Sequence, residues 1–218
     1  MLKVVVFDSG FGGELFADYF EEEMPVVKII RVIDWRNAEA YLNNPRLARK
    51  LAREALRPYI GRVDLIVLAN HLLSITSLKY FQRKYRGQKF IGFGLKKPDS
   101  FVRRDVLVIT TKAVTRTMKY QRFLICLRRR VATMTVDEWL GKIDDGELET
   151  GEIEDTMNLM RQRFKPGEII LVASQLNDIK RELWMMMGQN VKIYDCYRDT
   201  LKKAYRLLRI RGGGRKKK

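Results

Sequence analysis

The chain has 218 residues, 46% hydrophobic and 32% charged, and 43 basic against 26 acidic side chains leave a formal charge of +17. That apolar content is ample for a packed core in one large or two small domains. Two distant cysteines, Cys126 and Cys196, exclude a disulfide framework. The first apolar run is too short for a secretory signal, and no run approaches a membrane span, so a cytoplasmic location with no membrane partner is expected.

Periodicity predicts alternating strands and helices. Strands are expected at residues 2–7, 27–33, 64–69 and 89–92, with helices near 13–22, 45–59 and 72–85 between them. Lys96-Lys97-Pro98-Asp99 reads as a hinge, because the residue before proline avoids helix. Beyond it come strands at 105–109 and 168–172, a helical stretch after Thr111 that carries residues 120–130, and helices near 150–163 and 177–187. The two halves echo each other. Val63-Asp64-Leu65-Ile66-Val67-Leu68-Ala69 parallels Gly167-Glu168-Ile169-Ile170-Leu171-Val172-Ala173, and residues 4–9 parallel 107–111. The predicted fold class is α/β, as two pseudo-symmetric doubly wound domains facing a central cleft. The first comprises residues 1–95 plus about 190–211, a returning C-terminal helix; the second comprises 96–189; residues 212–218 form a flexible basic tail.

In open α/β sheets ligands bind where strands end and helices begin. Three such points carry informative residues. Val4-Val5-Val6-Phe7 runs into Asp8-Ser9-Gly10-Phe11-Gly12-Gly13, Leu65-Ile66-Val67-Leu68 into Ala69-Asn70-His71-Leu72-Leu73-Ser74, and Ile169-Ile170-Leu171-Val172 into Ala173-Ser174-Gln175-Leu176. Glycines at a strand-to-helix turn let backbone approach a ligand, and helix N-terminal N–H groups attract anions. Ser9, Asn70, Thr111 and Ser174 are thus candidates for binding a small anion, the alternative being that Asp8 merely caps its turn. Neither G-x-G-x-x-G nor G-K-[ST] spacing is present, so no nucleotide cofactor is indicated. His71, the single histidine, has no companion ligand and makes a poor metal site. With an ordinary pKa of about 6.5 it could serve as a lone general base, or simply cap or pack. No metal and no cofactor are predicted.

The opening string resembles the aspartate/glutamate racemase family, whose glutamate racemases carry D-S-G-x-G-G there. The resemblance continues through Asp34, the Ile91-Gly92-Phe93-Gly94 strand end, and Ile109-Thr110-Thr111-Lys112-Ala113-Val114-Thr115-Arg116-Thr117-Met118-Lys119-Tyr120-Gln121, which is similar to the family's I-G-T-x-A-T-x-x-S-x-x-Y-Q. It covers about 200 residues and implies the facing-domain fold. Where the family has A-C-N-T-A-S, this chain sets Asn70 at the cysteine. Where the family has G-C-T-H-Y-P, it sets Ala173 at the second cysteine and Gln175 at the histidine. Val114 replaces a substrate-holding threonine, and Glu39-Ala40-Tyr41-Leu42 matches P-Y-G poorly. Racemisation needs a group on each face of the α-carbon that can change protonation state. A thiol can be tuned for this, whereas a carboxamide and a methyl group cannot. The resemblance therefore implies a degenerate site, comprising Asp8, Ser9, Asn70, His71, Ala173, Ser174 and Gln175, with no catalytic residue named. An active isomerase or lyase of changed chemistry, using Asp8, His71 or Ser174 on a small carboxylate or amino acid, is the competing expectation.

Charge points elsewhere. Residues 137–155 hold nine acidic residues and one lysine, a net of −8, which leaves +25 on the rest of the chain. Lys202, Arg206 and Arg209 share a helical face, continued by Arg211 and by Arg215, Lys216, Lys217 and Lys218 after a glycine spacer. Two further basic series are expected, one on the helix after Thr111 (Lys112, Arg116, Lys119, Arg122, then Arg128-Arg129-Arg130), the other at Lys79, Arg83, Lys84, Arg86 and Lys89. Such surfaces attract polyanions by counterion release, although no nucleic-acid fold signature accompanies them. RNA, DNA or an acidic protein is the expected partner. A homo-oligomer pairing the acidic segment with a neighbour's basic patch is the third expectation.

Overall fold

A computed structural model describes residues 1–95 and 104–210. The proposed hinge at Lys96-Lys97-Pro98-Asp99, and Arg211, Arg215 and Lys216 to Lys218, lie outside the described residues.

Among the described residues, eight strands form two parallel four-stranded sheets. The first is built from β1 (Leu2–Asp8), β2 (Val27–Ile33), β3 (Leu65–Leu68) and β4 (Phe90–Gly92), in the order β2-β1-β3-β4. The second contains β5 (Val106–Thr110), β6 (Val131–Thr135), β7 (Glu168–Leu171) and β8 (Lys192–Tyr194), in the order β6-β5-β7-β8. The two orders coincide when the second set is renumbered from its own first strand, so the sequence echo has a topological counterpart. The central strands β1, β3, β5 and β7 are buried along nearly their whole length, as parallel sheets covered by helices on both faces require.

The connecting helices are α1 (Phe11–Glu23), α2 (Ala38–Asn43), α3 (Pro45–Leu56), α4 (His71–Lys84), α5 (Lys112–Thr115), α6 (Met118–Leu127), α7 (Asp137–Asp145), α8 (Thr150–Arg163), α9 (Lys180–Met187) and α10 (Tyr197–Leu208). Helix α10 turns Tyr197, Leu201, Ala204 and Leu208 into the core of the first sheet, beside Val4, Val6, Phe16 and Phe20. That spacing of four, three and four residues lays one apolar stripe along a helix. None of the helices among the described residues is long and apolar enough to cross a membrane.

Three sequence expectations are corrected. The stretch after Thr111 is two helices, and the second stops at Leu127 because Arg128 adopts the left-handed conformation (φ 51°); Arg128, Arg129 and Arg130 therefore continue no helical face. The helix placed at 177–187 begins only at Lys180, after a 3₁₀ turn over Gln175–Asn177. Strands β6 and β8, which periodicity missed, are short edge strands with partly exposed residues, too weakly patterned to register.

Candidate functional site

The strand ends of the two sheets meet, and the chain itself fills the space between them. Asp8, at the end of β1, is fully buried. Its Oδ1 accepts the Ser9 backbone N–H at 2.7 Å, and its Oδ2 lies 2.8 Å from the Ser174 hydroxyl beyond β7. Asn70 caps α4: its side-chain oxygen accepts the Leu73 N–H at 2.9 Å, and its amide donates to Ser9 Oγ at 3.2 Å. Asparagine is among the best residues for that cap, so the Asn70 side chain is committed to holding a helix end.

Ser174 Oγ also lies 3.1 Å from Gln175 Oε1, while Gln175 Nε2 donates to Asp144 Oδ2 at 3.2 Å. The other Asp144 oxygen accepts the Phe11 N–H at 2.7 Å, which places a carboxylate from α7 against the positive N-terminal end of α1. Part of the acidic segment thus works within the molecule. Burial pushes the Asp8 carboxyl up to about 6; its bonds from Ser174, Ser9 and Asn70 act downward, and the nearby Asp144 charge adds a further upward push. Burial raises Asp144 as well, against the downward pull of the Phe11 N–H and Gln175.

Glycines make this closeness feasible. A Cβ on Gly12 would stand 2.4 Å from Ser174 Cβ and 2.5 Å from the Gln175 nitrogen, and one on Gly10 would stand 2.7 Å from the Asp144 carboxylate. The Tyr197 hydroxyl reaches the Gly12 carbonyl at 3.2 Å, bringing α10 to the same junction. On the other side, Tyr41 packs on Phe7 and donates its hydroxyl to Asp34 at 2.8 Å.

What remains is a cavity of about 20 Å³, lined by Asn70, His71, Thr111, Val114, Ala173 and Ser174 among others. A space of that order suits water rather than an amino acid. Of the four proposed anion ligands, Asn70, Thr111 and Ser174 border this cavity, while Ser9 lies behind Asn70. Each already makes hydrogen bonds within the chain; Thr111 Oγ1, for example, accepts the Val114 N–H at 3.3 Å and so caps α5. Ala173 presents only a methyl group.

His71 is buried, its Nε2 is 3.5 Å from Cys196 Sγ and its ring packs on Phe93. Nδ1 has no hydrogen-bond partner among the described residues. Burial lowers its pKa to about 3, so the imidazole is neutral over the physiological range. Burial also raises the Cys196 thiol well above its ordinary value, the reverse of what a reactive cysteine needs, while Cys126 is exposed on α6.

Of the predicted basic face, Lys202, Arg206 and Arg209 lie on the solvent side of α10, with Arg209 just past its end in the left-handed conformation (φ 55°). Arg198, one turn earlier on the same side and exposed, joins them; its spacing of four from Lys202 is the signal in the sequence that could have found it. Sequence reasoning also missed Asp144, whose role depends on a contact spanning 133 residues of chain.

Two parallel sheets of matching order, joined at their strand ends, define the two-domain α/β racemase architecture. The fold is that of the glutamate racemases. The chain is similar to Escherichia coli glutamate racemase, solved with L-glutamate and the activator UDP-MurNAc-Ala, at a TM-score of 0.81 and 16% identity over 98% of this chain and 84% of that one. It is similar to the Campylobacter jejuni glutamate racemase at 0.78 and 20% identity, covering 94% and 85% of the two chains. An aspartate racemase homologue from Pyrococcus horikoshii aligns at 0.52 and 17% identity, over 95% and 99%. No protein-family model matches the chain, and no curated protein matches it in sequence.

Proposed function

We propose that this chain is a racemase-fold protein without racemase activity, whose surface binds a polyanion. The observation that carries the binding reading is the stripe formed by Arg198, Lys202 and Arg206 on the exposed side of α10, with exposed Arg209 just past the helix end. Three cations at helical spacing, with Arg209 beyond them and Asp199 the acidic residue among them along the helix, form a track that phosphates can neutralise, with affinity that falls steeply as salt rises. The closed strand-end junction supports the loss of activity. Two faces of an α-carbon need two proton-exchanging groups; here Asn70 is spent on a cap, Ala173 has no proton to exchange, and the cavity between them is narrow.

Fluorescence anisotropy of labelled RNA and DNA oligomers over a salt series tests the binding reading, using the full chain and a version ending at Ile210. Binding with a steep salt dependence, shallower in the shortened chain, is expected. No binding at low salt overturns it. Incubation with L- or D-glutamate or aspartate in heavy water is expected to leave the α-carbon free of deuterium.

One observation favours a second reading. A buried carboxyl held near 6 beside a serine hydroxyl matches the tuning of catalytic acids, which suits an isomerase or lyase using Asp8 and Ser174. Deuterium exchange that Asp8→Ala abolishes would establish that reading and overturn the inactive one.

A further inference from the structure

Helix α9 buries Leu183 and Met187 and leaves Trp184 and Met185 outside, 44% and 58% exposed. Trp184 lines an open trough of about 770 Å³ along β8 with Lys180, Arg181, Lys192 and Tyr194. β8 is the last strand of its sheet, so nothing in the sheet covers this side. A second hollow of about 610 Å³ shares Asn177, Lys180, Ile193 and Tyr194 with the first and extends to Arg198 and Lys202 on α10. The basic stripe of α10 therefore opens into a trough with an exposed indole at its far end.

We infer that this trough takes single-stranded nucleic acid, with Trp184 as a platform on which a base stacks and the α10 stripe holding the phosphates; the inference rests on the polyanion reading above. Arg181, Lys192, Arg198 and Lys202 are exposed along the walls, whereas Lys180 is paired with Asp195. Asp178, Asp195 and Asp199 also line the trough, so its charge excess is modest. A site working by charge alone would gain little from extending off α10 into this region. What the trough adds is an aromatic face, and base–aromatic stacking with flanking cations is how unpaired strands are held without regard to sequence. The Tyr194 hydroxyl donates to buried Glu168 at 3.4 Å, which fixes that ring in the wall.

The test uses a fluorescein-labelled twelve-nucleotide oligo(dT), an abasic strand with the same phosphates, and the full chain. Wild type is expected to bind oligo(dT) about tenfold more tightly than the abasic strand. Trp184→Ala should reduce oligo(dT) binding to the abasic level without changing the salt slope, and Trp184→Phe should restore most of the difference. Oligo(dT) binding that Trp184→Ala leaves unchanged overturns this inference and leaves the polyanion reading standing. Failure of both strands to bind wild type at low salt removes both.

Discussion

Ser174 and Asp8, 166 residues apart in the chain, share a buried contact of 2.8 Å that joins the two halves of the molecule. A hydroxyl has one hydrogen, yet the Ser174 oxygen faces both Asp8 Oδ2 and Gln175 Oε1, which are two acceptors whenever Asp8 is ionised. With the proton on Asp8, the carboxyl donates to Ser174, Ser174 donates to Gln175 and Gln175 donates to Asp144, so the Ser174 oxygen no longer faces two acceptors with one hydrogen. An asparagine amide can take the place of the protonated carboxyl. Asp8→Asn is therefore expected to stabilise the fold at pH 8, by up to about 3 kcal/mol from the displaced titration at about 1.4 kcal/mol per pH unit. Denaturant unfolding at pH 8 measures it; a large loss of stability would mean that the ionised carboxylate is what the junction needs.

His71 acts in the opposite sense. Asp8 moves from an ordinary 3.8 to about 6 on folding, so between those values the folded chain keeps a proton that the unfolded chain has lost, and stability falls as pH rises. His71 moves from 6.5 to about 3, so between those values the unfolded chain holds the extra proton, and stability falls as pH drops. From about pH 4 to 6 the two contributions nearly cancel. His71→Leu is expected to remove one side of the balance and become more stable as pH falls from 6 to 4, while Asp8→Asn becomes less stable. Thermal melts of the two variants across this window should diverge with opposite slopes. Parallel curves would show that the two groups do not control the acid limb.

Gly12 allows α1 to touch the turn after β7. A methyl group there would collide with the Ser174 Cβ and with the backbone nitrogen of Gln175, and backbone cannot swing aside as a flexible side chain can. Gly12→Ala is expected to cost about 1–3 kcal/mol, the usual penalty of overpacking, and to separate the two halves at this junction. Unfolding by denaturant gives the cost. Faster amide hydrogen exchange at Ser9 and Leu73, whose N–H groups point into the junction, would report the separation; unchanged exchange would show that the strain is absorbed elsewhere.

Much of the architecture is legible in the chain itself. Valine and isoleucine runs ending in small polar residues fix β1, β3, β5 and β7, because a strand buried on both faces has no polar side to disguise it. The repeated run before Ala69 and before Ala173 anticipates two sheets of equal order. The edge strands of the second sheet are another matter. Val131–Thr135 and Lys192–Tyr194 owe their conformation to a neighbour on one side only, and such residues carry little pattern of their own.

For the site, the sequence determined which chemical groups gather at the strand ends: Asp8, Ser9, Asn70, His71, Thr111, Ser174 and Gln175, with Ala173 contributing none. Residue identity alone decides whether a group can carry a proton. Only the tertiary structure decided that Asp8, Ser9, Asn70, Ser174 and Gln175 bond to one another across the two halves, and that His71 is neutral against Cys196. Hydrogen-bond partners and burial are relations between distant segments, set by how closely two sheets approach. That approach depends on Gly12 meeting Ser174, a contact no local pattern encodes.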